Sequence, residues 1–382
     1  MMKNYLKEII SDKKILILGY GREGRSTYAL LEKIKGYQTL DISDANKQDV
    51  HIDDTHHLIF GENYLDVLND YDVVFKSPGV VLPKSIEEYT CFITCQADLF
   101  MKVYGCQTVG ITGTKGKSTT SSLLYHILKE NGKDVLFGGN IGLPIFEVID
   151  DIKPNTTIIF ELSCHQLEYA HFSPKRAILL NLYEDHLDHY GTIEKYWEAK
   201  KNLYKNQLSV DKLYCNPEFL PEEGTCKSHI IPITIDMLPF KSWEEIPGAT
   251  LRGSHNLLNT SFVYNVCKDF EISDADFKAA LATFKTLAHR LEYLGKKDDV
   301  DYYDDSISTT VESAKNAINA IPNAGTILLG GMDRGIDYDP LVAFLPTTSL
   351  EHIILMYDSG LVLYDKLKED EHVYFVIIDM HS

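Results

Sequence analysis

Two strand–glycine-rich turn–helix signatures, and a succession of short apolar runs separated by helical stretches, predict an α/β protein built on parallel sheets. At 382 residues, the chain is long enough for two to three domains of ordinary size. We divide it into three: a Rossmann-like N-terminal domain over residues 1–105, a central domain of P-loop ATPase type over 106–286, and a Rossmann-like C-terminal domain over 287–382.

In the first segment, Lys14-Ile-Leu-Ile-Leu reads as a buried strand. It is followed by Gly19-Tyr-Gly21-Arg-Glu-Gly24 and a helix through about Ile34. G-x-G-x-x-G between a strand and a helix lets backbone approach a diphosphate, and the helix N-terminus favours the negative charge. Thr39-Leu-Asp41-Ile predicts a second strand ending in an acid, where dinucleotide folds place their ribose contact. Taken alone, this segment reads as NAD-binding, and the same loop also suits other diphosphates. Asp72-Val-Val-Phe predicts a further strand leading into Lys76-Ser77-Pro78-Gly79. Pro-Gly there is a sharp turn at a strand's C-terminal end, where open α/β sheets bind ligands, so Ser77 and Gly79 are ligand candidates as well as turn residues.

In the middle segment, the run from Gln107 to Thr112 predicts a strand that enters Gly113-Thr114-Lys-Gly116-Lys117-Ser118-Thr119. A helix from Ser118 to about Lys129 follows, with Leu123, Leu124, Ile127 and Leu128 on one stripe. This is a phosphate cradle in a compact form, G-T-x-G-K-S, because Ile111 stands where the eight-residue pattern has Gly. Lys117 would reach the β/γ-phosphates and the Ser118 hydroxyl would hold Mg²⁺. Phe137-Gly-Gly-Asn140-Ile-Gly142 predicts a loop pressed against a ligand, or a plain turn. Thr156-Thr-Ile-Ile-Phe160 predicts a strand whose tip carries Glu161, well placed for Mg²⁺ beside the phosphate loop.

Ala177-Ile-Leu-Leu180 predicts the next strand, opening into Asn181-Leu-Tyr-Glu184-Asp185-His186-Leu-Asp188-His189. His186-x-x-His189 suggests zinc but lacks a third ligand at helical spacing; an oxygen-rich Mg²⁺ site with one His fits better. A helix over about Ile193 to Lys205 carries Ala199-Lys200-Lys201, and another begins at Gly253-Ser-His255-Asn256-Leu-Leu-Asn259. Asn256 and Asn259 share a helix face, which suits a purine edge or a cap.

In the last segment, Val300-Asp-Tyr-Tyr and Thr326 to Gly330 predict strands, the second running into Gly331-Met332-Asp333-Arg334-Gly335. The chain ends at Ser382 just after a strand-like run.

Composition narrows the class. A formal net charge of −19, from 37 basic and 56 acidic residues, argues against a nucleic-acid-binding surface, although not against a nucleotide ligand. Seven scattered cysteines predict reduced thiols rather than a disulfide framework. With no secretory leader pattern and no apolar run of about 18 residues, no membrane insertion is expected and the location is expected to be cytoplasmic.

Together the motifs G-T-K-G-K-S-T, G-G-N-I-G, E-L-S-C-H-Q-L-E, E-D-H-L-D, the Ala199-Lys200 helix, G-S-H-N-x-x-N, His289-Arg290 and Asp305-Ser306 resemble those of the Mur ligases, the ATP-dependent amide ligases of peptidoglycan precursor synthesis. The short first domain, with Gly19 to Gly24 and Ser77-Pro-Gly79, is most similar to the members that add glutamate to UDP-N-acetylmuramoyl-L-alanine. The resemblance replaces NAD by the UDP of the sugar substrate. Gly19, Gly21 and Gly24 would face the diphosphate, with Ser77 and Gly79 nearby and Asn140 on the sugar substrate. It implies ATP and two Mg²⁺ ions. Gly113, Thr114, Gly116, Lys117, Ser118 and Thr119 would bind the ATP phosphates, and Asn256, Asn259, Arg290 and Asp305 its adenine and ribose. Ser118 and Glu161 would hold one Mg²⁺. His186 and Lys200, matched to the family's carbamylated lysine, would hold the other. Lys117, His186 and Lys200 would be catalytic, with Thr309 and Arg334 near the incoming glutamate. A monomer is expected, and, because the family's third domain continues past the point matched by Ser382, the resemblance implies a third domain that stops short of its last elements and leaves an open sheet edge.

Two departures leave the acceptor open. Ile307 stands where D-glutamate-adding members commonly carry Lys, and Arg334 where a Lys is usual. Related ligases that prefer L-glutamate carry similar Ile-containing loops and an arginine-bearing first turn like Gly21-Arg-Glu-Gly24, so L-glutamate competes with D-glutamate. Three further readings stand beside these: a folate polyglutamate ligase, which lacks a separate UDP-binding domain, a dehydrogenase, and an inactive nucleotide-binding remnant.

Overall fold

The structure, a computed structural model, describes residues 1–48, 56–333 and 335–367. These form two units: Met1–Pro239 with Asn259–Ala280, and Phe240–Leu258 with the chain from Leu281 onward.

The first unit holds two sheets. One contains β1 (Lys14–Leu18), β2 (Thr39–Asp44), β3 (Leu58–Phe60), β4 (Val73–Lys76) and β5 (Phe92–Thr94). They are all parallel, in the order β3-β2-β1-β4-β5. Four of the five β1 residues are buried in succession, as expected where helices cover both faces of a parallel sheet. The chain crosses to opposite sides on leaving β1 and β3, so a crevice opens at the C-terminal ends of β1 and β4. The expected acid-tipped second strand runs on to Asp44, two residues past its sequence signal. Asp41 lies within β2, bonded by the Tyr71 hydroxyl at 2.7 Å, and Asp44 is the acid at the strand's end.

The second sheet contains β6 (Thr108–Thr112), β7 (Val135–Gly139), β8 (Thr157–Glu161), β9 (Arg176–Leu179), β10 (Lys212–Cys215) and β11 (His229–Pro232), also all parallel. Their order is β11-β10-β9-β6-β8-β7, which again places a crevice at the end of a central strand, β6. The stretch expected to be a glycine-rich loop is in part the edge strand β7, paired with β8 through Gly139, so Asn140 sits directly at a strand's end.

One apolar cluster links the two sheets, from Met2, Leu6 and Ile10 on the first helix, through Ile15 and Ile17, to Leu203 and Cys215. All seven cysteines are free thiols.

The second unit contains an antiparallel hairpin, β12 (Glu292–Lys297) with β13 (Val300–Asp304), and a parallel pair, β14 (Thr326–Gly330) with β15 (His352–Met356). Its core gathers Ile318, Leu341, Leu345, Ile353, Leu355 and Leu363. The strand-like run near the end of the chain lies outside the described residues. No helix among the described residues is long and apolar enough to cross a membrane.

Candidate functional site

The phosphate loop leaves β6 and enters the helix Lys117–Glu130 through Gly116, whose φ of +84° is a left-handed backbone that favours glycine. A Cβ there would stand 2.7 Å from the Asn259 Oδ1, so the side chain of Asn259 packs directly on the loop. Asn181 holds the loop from the other side. Its carbonyl accepts the Thr114 N–H at 3.1 Å, and its Oδ1 accepts the Lys115 N–H at 2.9 Å. The Thr114 hydroxyl is likewise structural, accepting from the Tyr183 N–H at 3.0 Å and from the Tyr196 hydroxyl at 3.1 Å.

Two lysines converge on a single carbonyl. Lys117 Nζ donates to the Gly113 oxygen at 2.8 Å and to that of Thr114 at 3.1 Å, while Lys200 Nζ donates to the same Gly113 oxygen at 3.0 Å. Burial lowers the pKa of Lys117 against the attraction of Glu161. Lys200, on the helix Ile193–Lys205, is 1% exposed and lies over the Tyr196 ring, 4.8 Å from its centroid. Burial, and then the neighbouring Lys117 charge, push its pKa down to about 7.

Glu161 ends β8 and is fully buried. Its carboxylate accepts from Ser121 at 3.0 Å, Asn140 Nδ2 at 2.9 Å and Ser118 at 3.5 Å. These partners are all neutral, and no cationic side chain among the described residues lies within ion-pair distance. A buried carboxylate with hydroxyl neighbours and no cation in direct contact has the donor chemistry of a hard divalent-cation site.

His186 takes a left-handed backbone, φ +52°, at the start of the short helix Leu187–Tyr190. Its ring lies 5.0 Å from that of His165, which in turn is 4.4 Å from that of His189. Burial, with the nearby His189, His186, Lys76 and Lys200, depresses His165 to about 4, so it is neutral at pH 7. His189 bonds Glu168 at 3.2 Å, and the buried Lys76 lies 3.8 Å from that same carboxylate. Among the described residues, only His289, Glu292 and Asp304 bring three potential metal-binding atoms within 4.8 Å of one another, so a zinc site at His186-x-x-His189 finds no converging third ligand.

A cleft of about 440 Å³ lies at the crevice of the first sheet and reaches Asn140, Ser163 and Gln166 of the central segment. Gly19, Gly21, Ser77, Gly79 and Asn140 all line it, as does Asp44. Ser77 ties its two turns together, its hydroxyl donating to the Gly19 oxygen at 2.6 Å. Gly24 does not line the cleft. It is buried behind the turn, where a Cβ would meet the Gly19 oxygen at 2.0 Å, so its part is close packing of helix on strand rather than contact with a ligand.

In the second unit, Asn256 lies in the first turn of its helix and donates to the Arg252 carbonyl at 2.9 Å. Asp305 accepts the Leu291 N–H at 2.9 Å and the Ser308 hydroxyl, and burial raises its pKa. Arg290 is partly buried, whereas Thr309 and Ile307 are exposed. Arg334 lies outside the described residues. Sequence reasoning passed over Ser121, Asn181, Tyr196 and Gln166. Only Ser121 had a local signal, since it falls three residues after Ser118 on the same helix face.

The family model for the Mur ligase middle domain matches residues 111–218, from the phosphate loop to just past β10. The UDP-N-acetylmuramoylalanine--D-glutamate ligase of Streptococcus agalactiae is 29% identical over 383 residues, spanning 91% of this chain and 83% of that protein. The chain is similar to the Mur ligases, through its middle stretch and along most of its length. Solved Mur ligases share its fold. The MurF ligase of Thermotoga maritima, in complex with ADP, superposes with a TM-score of 0.59 at 17% identity, over 98% of this chain and 87% of that one. The UDP-N-acetylmuramate-alanine ligase MurC of the same organism gives 0.56 at 20% identity, over 96% and 91%. Mur ligases form amide bonds at the expense of ATP, and the phosphate loop lies within the stretch that matches their middle domain.

Proposed function

We propose that this Mur ligase acts in the cytoplasm as a monomer, joining D-glutamate to the L-alanyl carboxylate of UDP-N-acetylmuramoyl-L-alanine and converting ATP to ADP and phosphate. The observation that carries the choice within the family is the likeness to the D-glutamate ligase of S. agalactiae over 91% of the chain. L-glutamate is the second reading, on the strength of Ile307 and of the arginine-bearing first turn Gly21-Arg-Glu-Gly24. We keep the three-domain division at 105/106 and 286/287, with the first domain holding the sugar nucleotide, the central one ATP, and the third the amino acid.

The substrate carboxylate attacks the γ-phosphorus of ATP, forming an acyl phosphate and releasing ADP. The glutamate amine then attacks the acyl carbon, phosphate leaves, and the amine's proton goes to solvent. The chain's part is positioning and charge. Backbone N–H groups at the start of the helix Lys117–Glu130 face the ATP phosphates. Lys117 swings from the Gly113 and Thr114 carbonyls to the transferring phosphoryl group and offsets its charge. Ser118 and Glu161 would hold one Mg²⁺; His186 and Lys200, as its carbamate, would hold a second. Bound Mg²⁺ neutralises crowded phosphoryl oxygens. Lys200 suits carbamylation because its amine is half-deprotonated near pH 7: the nitrogen lone pair bonds to the carbon of CO₂ and the N–H proton leaves to water. Asn140 lines the cleft and bonds Glu161, so it sits between the sugar nucleotide and that carboxylate.

The test is phosphate release from ATP with UDP-N-acetylmuramoyl-L-alanine, run with D- and L-glutamate separately. Release that needs the sugar nucleotide and D-glutamate is expected. Release with L-glutamate alone selects the second reading, and none with either enantiomer removes the ligase reading for this chain.

A further inference from the structure

Glu23 is the second residue of the helix Arg22–Ile34 and lines the cleft beside Arg22, Ser77, Asn140 and Gln166. An acid is the wrong residue for a diphosphate cradle if it is ionised, since two negative groups would meet at close range. Its hydrogen bonding is incomplete in a particular way. Gln166 Oε1 accepts the Ser163 N–H at 3.0 Å and lies 3.2 Å from the Ser163 hydroxyl, which fixes the orientation of the amide. Gln166 Nε2 therefore points at Glu23 and donates to its Oε1. The other oxygen, Oε2, is shut off from solvent and has no hydrogen-bond partner among the described residues.

An orphaned buried polar atom on a cleft wall marks a place where a ligand supplies the missing partner. With Oε1 already an acceptor, a proton on the carboxyl belongs on Oε2, and that O–H needs an acceptor. Burial raises the pKa of Glu23, against the opposing pull of the Gln166 bond and of the Lys76 and Arg22 charges. A carboxylic acid O–H beside a helix N-terminus complements phosphoryl oxygens, whereas a carboxylate there repels them.

We propose that Glu23 is a substrate-contacting residue whose Oε2–H donates a hydrogen bond to a phosphoryl oxygen of the bound sugar nucleotide's diphosphate. This rests on reading the cleft as the UDP site. It makes diphosphate recognition here a matter of a neutral acid as well as of backbone N–H groups.

The experiment is calorimetric titration of the full chain with UDP, and separately with ATP, for the wild type, Glu23→Gln and Glu23→Ala. In Glu23→Gln, the amide oxygen still accepts from Gln166 and the NH₂ replaces the O–H donor. Its UDP affinity is expected within about twofold of wild type. Glu23→Ala loses the contact, and its UDP affinity is expected to fall about ten- to a hundredfold, the range for a hydrogen bond to a charged group. ATP affinity should hold in both. Unchanged UDP affinity in Glu23→Ala overturns the proposal. So does an equal loss in Glu23→Gln, which would make Glu23 an ionised acceptor, or a parallel loss of ATP affinity, which would make its role purely structural. Failure of the wild type to bind UDP at all overturns the reading of the cleft itself, and the proposal with it.

Discussion

Replacing Lys200 with Met should stabilise the protein at neutral pH while abolishing ligation. The unfolded chain keeps Lys200 protonated up to its ordinary value of 10.5, whereas the folded chain releases that proton near 7. Between those two values the unfolded state binds more protons, so stability rises with pH across that window. The penalty is fully present below about pH 7 and gone above 10.5. At 1.36 kcal/mol per pH unit, it amounts to about 4 kcal/mol at pH 7 and about 2 kcal/mol at pH 9. Met removes it, fills a similar volume against the Tyr196 ring, and forfeits the 3.0 Å bond to the Gly113 oxygen. That bond is worth about 1 kcal/mol. The net gain should be about 3 kcal/mol at pH 7 and about 1 kcal/mol at pH 9. Urea unfolding of both proteins in CO₂-free buffer at the two pH values measures it. A variant less stable than wild type at pH 7, or a difference that does not change with pH, would refute the reasoning. Added bicarbonate should then stabilise the wild type and leave Lys200→Met unmoved.

Gly116→Ala forces a side chain into a φ of +84° and against the Asn259 amide. It should cost at least 1–2 kcal/mol of stability by thermal unfolding, and weaken ATP binding at least about tenfold in a titration. Glu161→Gln keeps the shape of the side chain but removes the buried charge. Mg²⁺-dependent phosphate release should fall about a hundredfold or more, while the melting temperature holds or rises because a fully buried carboxylate with no direct ion pair is gone. Ser77→Ala loses the 2.6 Å bond to the Gly19 oxygen; KM for the sugar nucleotide should rise about fivefold, matching about 1 kcal/mol, with KM for ATP unchanged.

Features that declare themselves over a few consecutive residues were legible in the sequence. The run Lys14 to Leu18 before Gly19, and Thr108 to Thr112 before Gly113, each carry strand, turn and helix start within one short window. Glu161 was legible because it ends a strand that pairs directly with β6. What stayed hidden depends on neighbours distant in the chain. β7 hid behind its glycines because its pairing with β8 overrides their weak strand propensity. Asp44 was passed over for Asp41 because strand ends are set by hydrogen-bonded partners, here the register with β1 and β3. Asn181, Tyr196 and Gln166 look like ordinary polar residues until the fold brings Thr114, Lys115 and Glu23 to them. The third glycine, Gly24, was read as a ligand contact when its small size serves a backbone crossing.

The sharing of one carbonyl oxygen by Lys117 and Lys200 has a thermodynamic consequence for nucleotide binding. Before Lys200 is carbamylated, bringing the Lys117 ammonium beside a second amine that still carries part of a charge near pH 7 is unfavourable, and a ligand that had to gather them would lose affinity by that amount. Here the Gly113 oxygen already gathers them, so the mutual repulsion is a cost of folding and not of association. A phosphoryl group arriving at the loop exchanges a weak dipolar partner for a charged one, and the electric field it meets was assembled before it came.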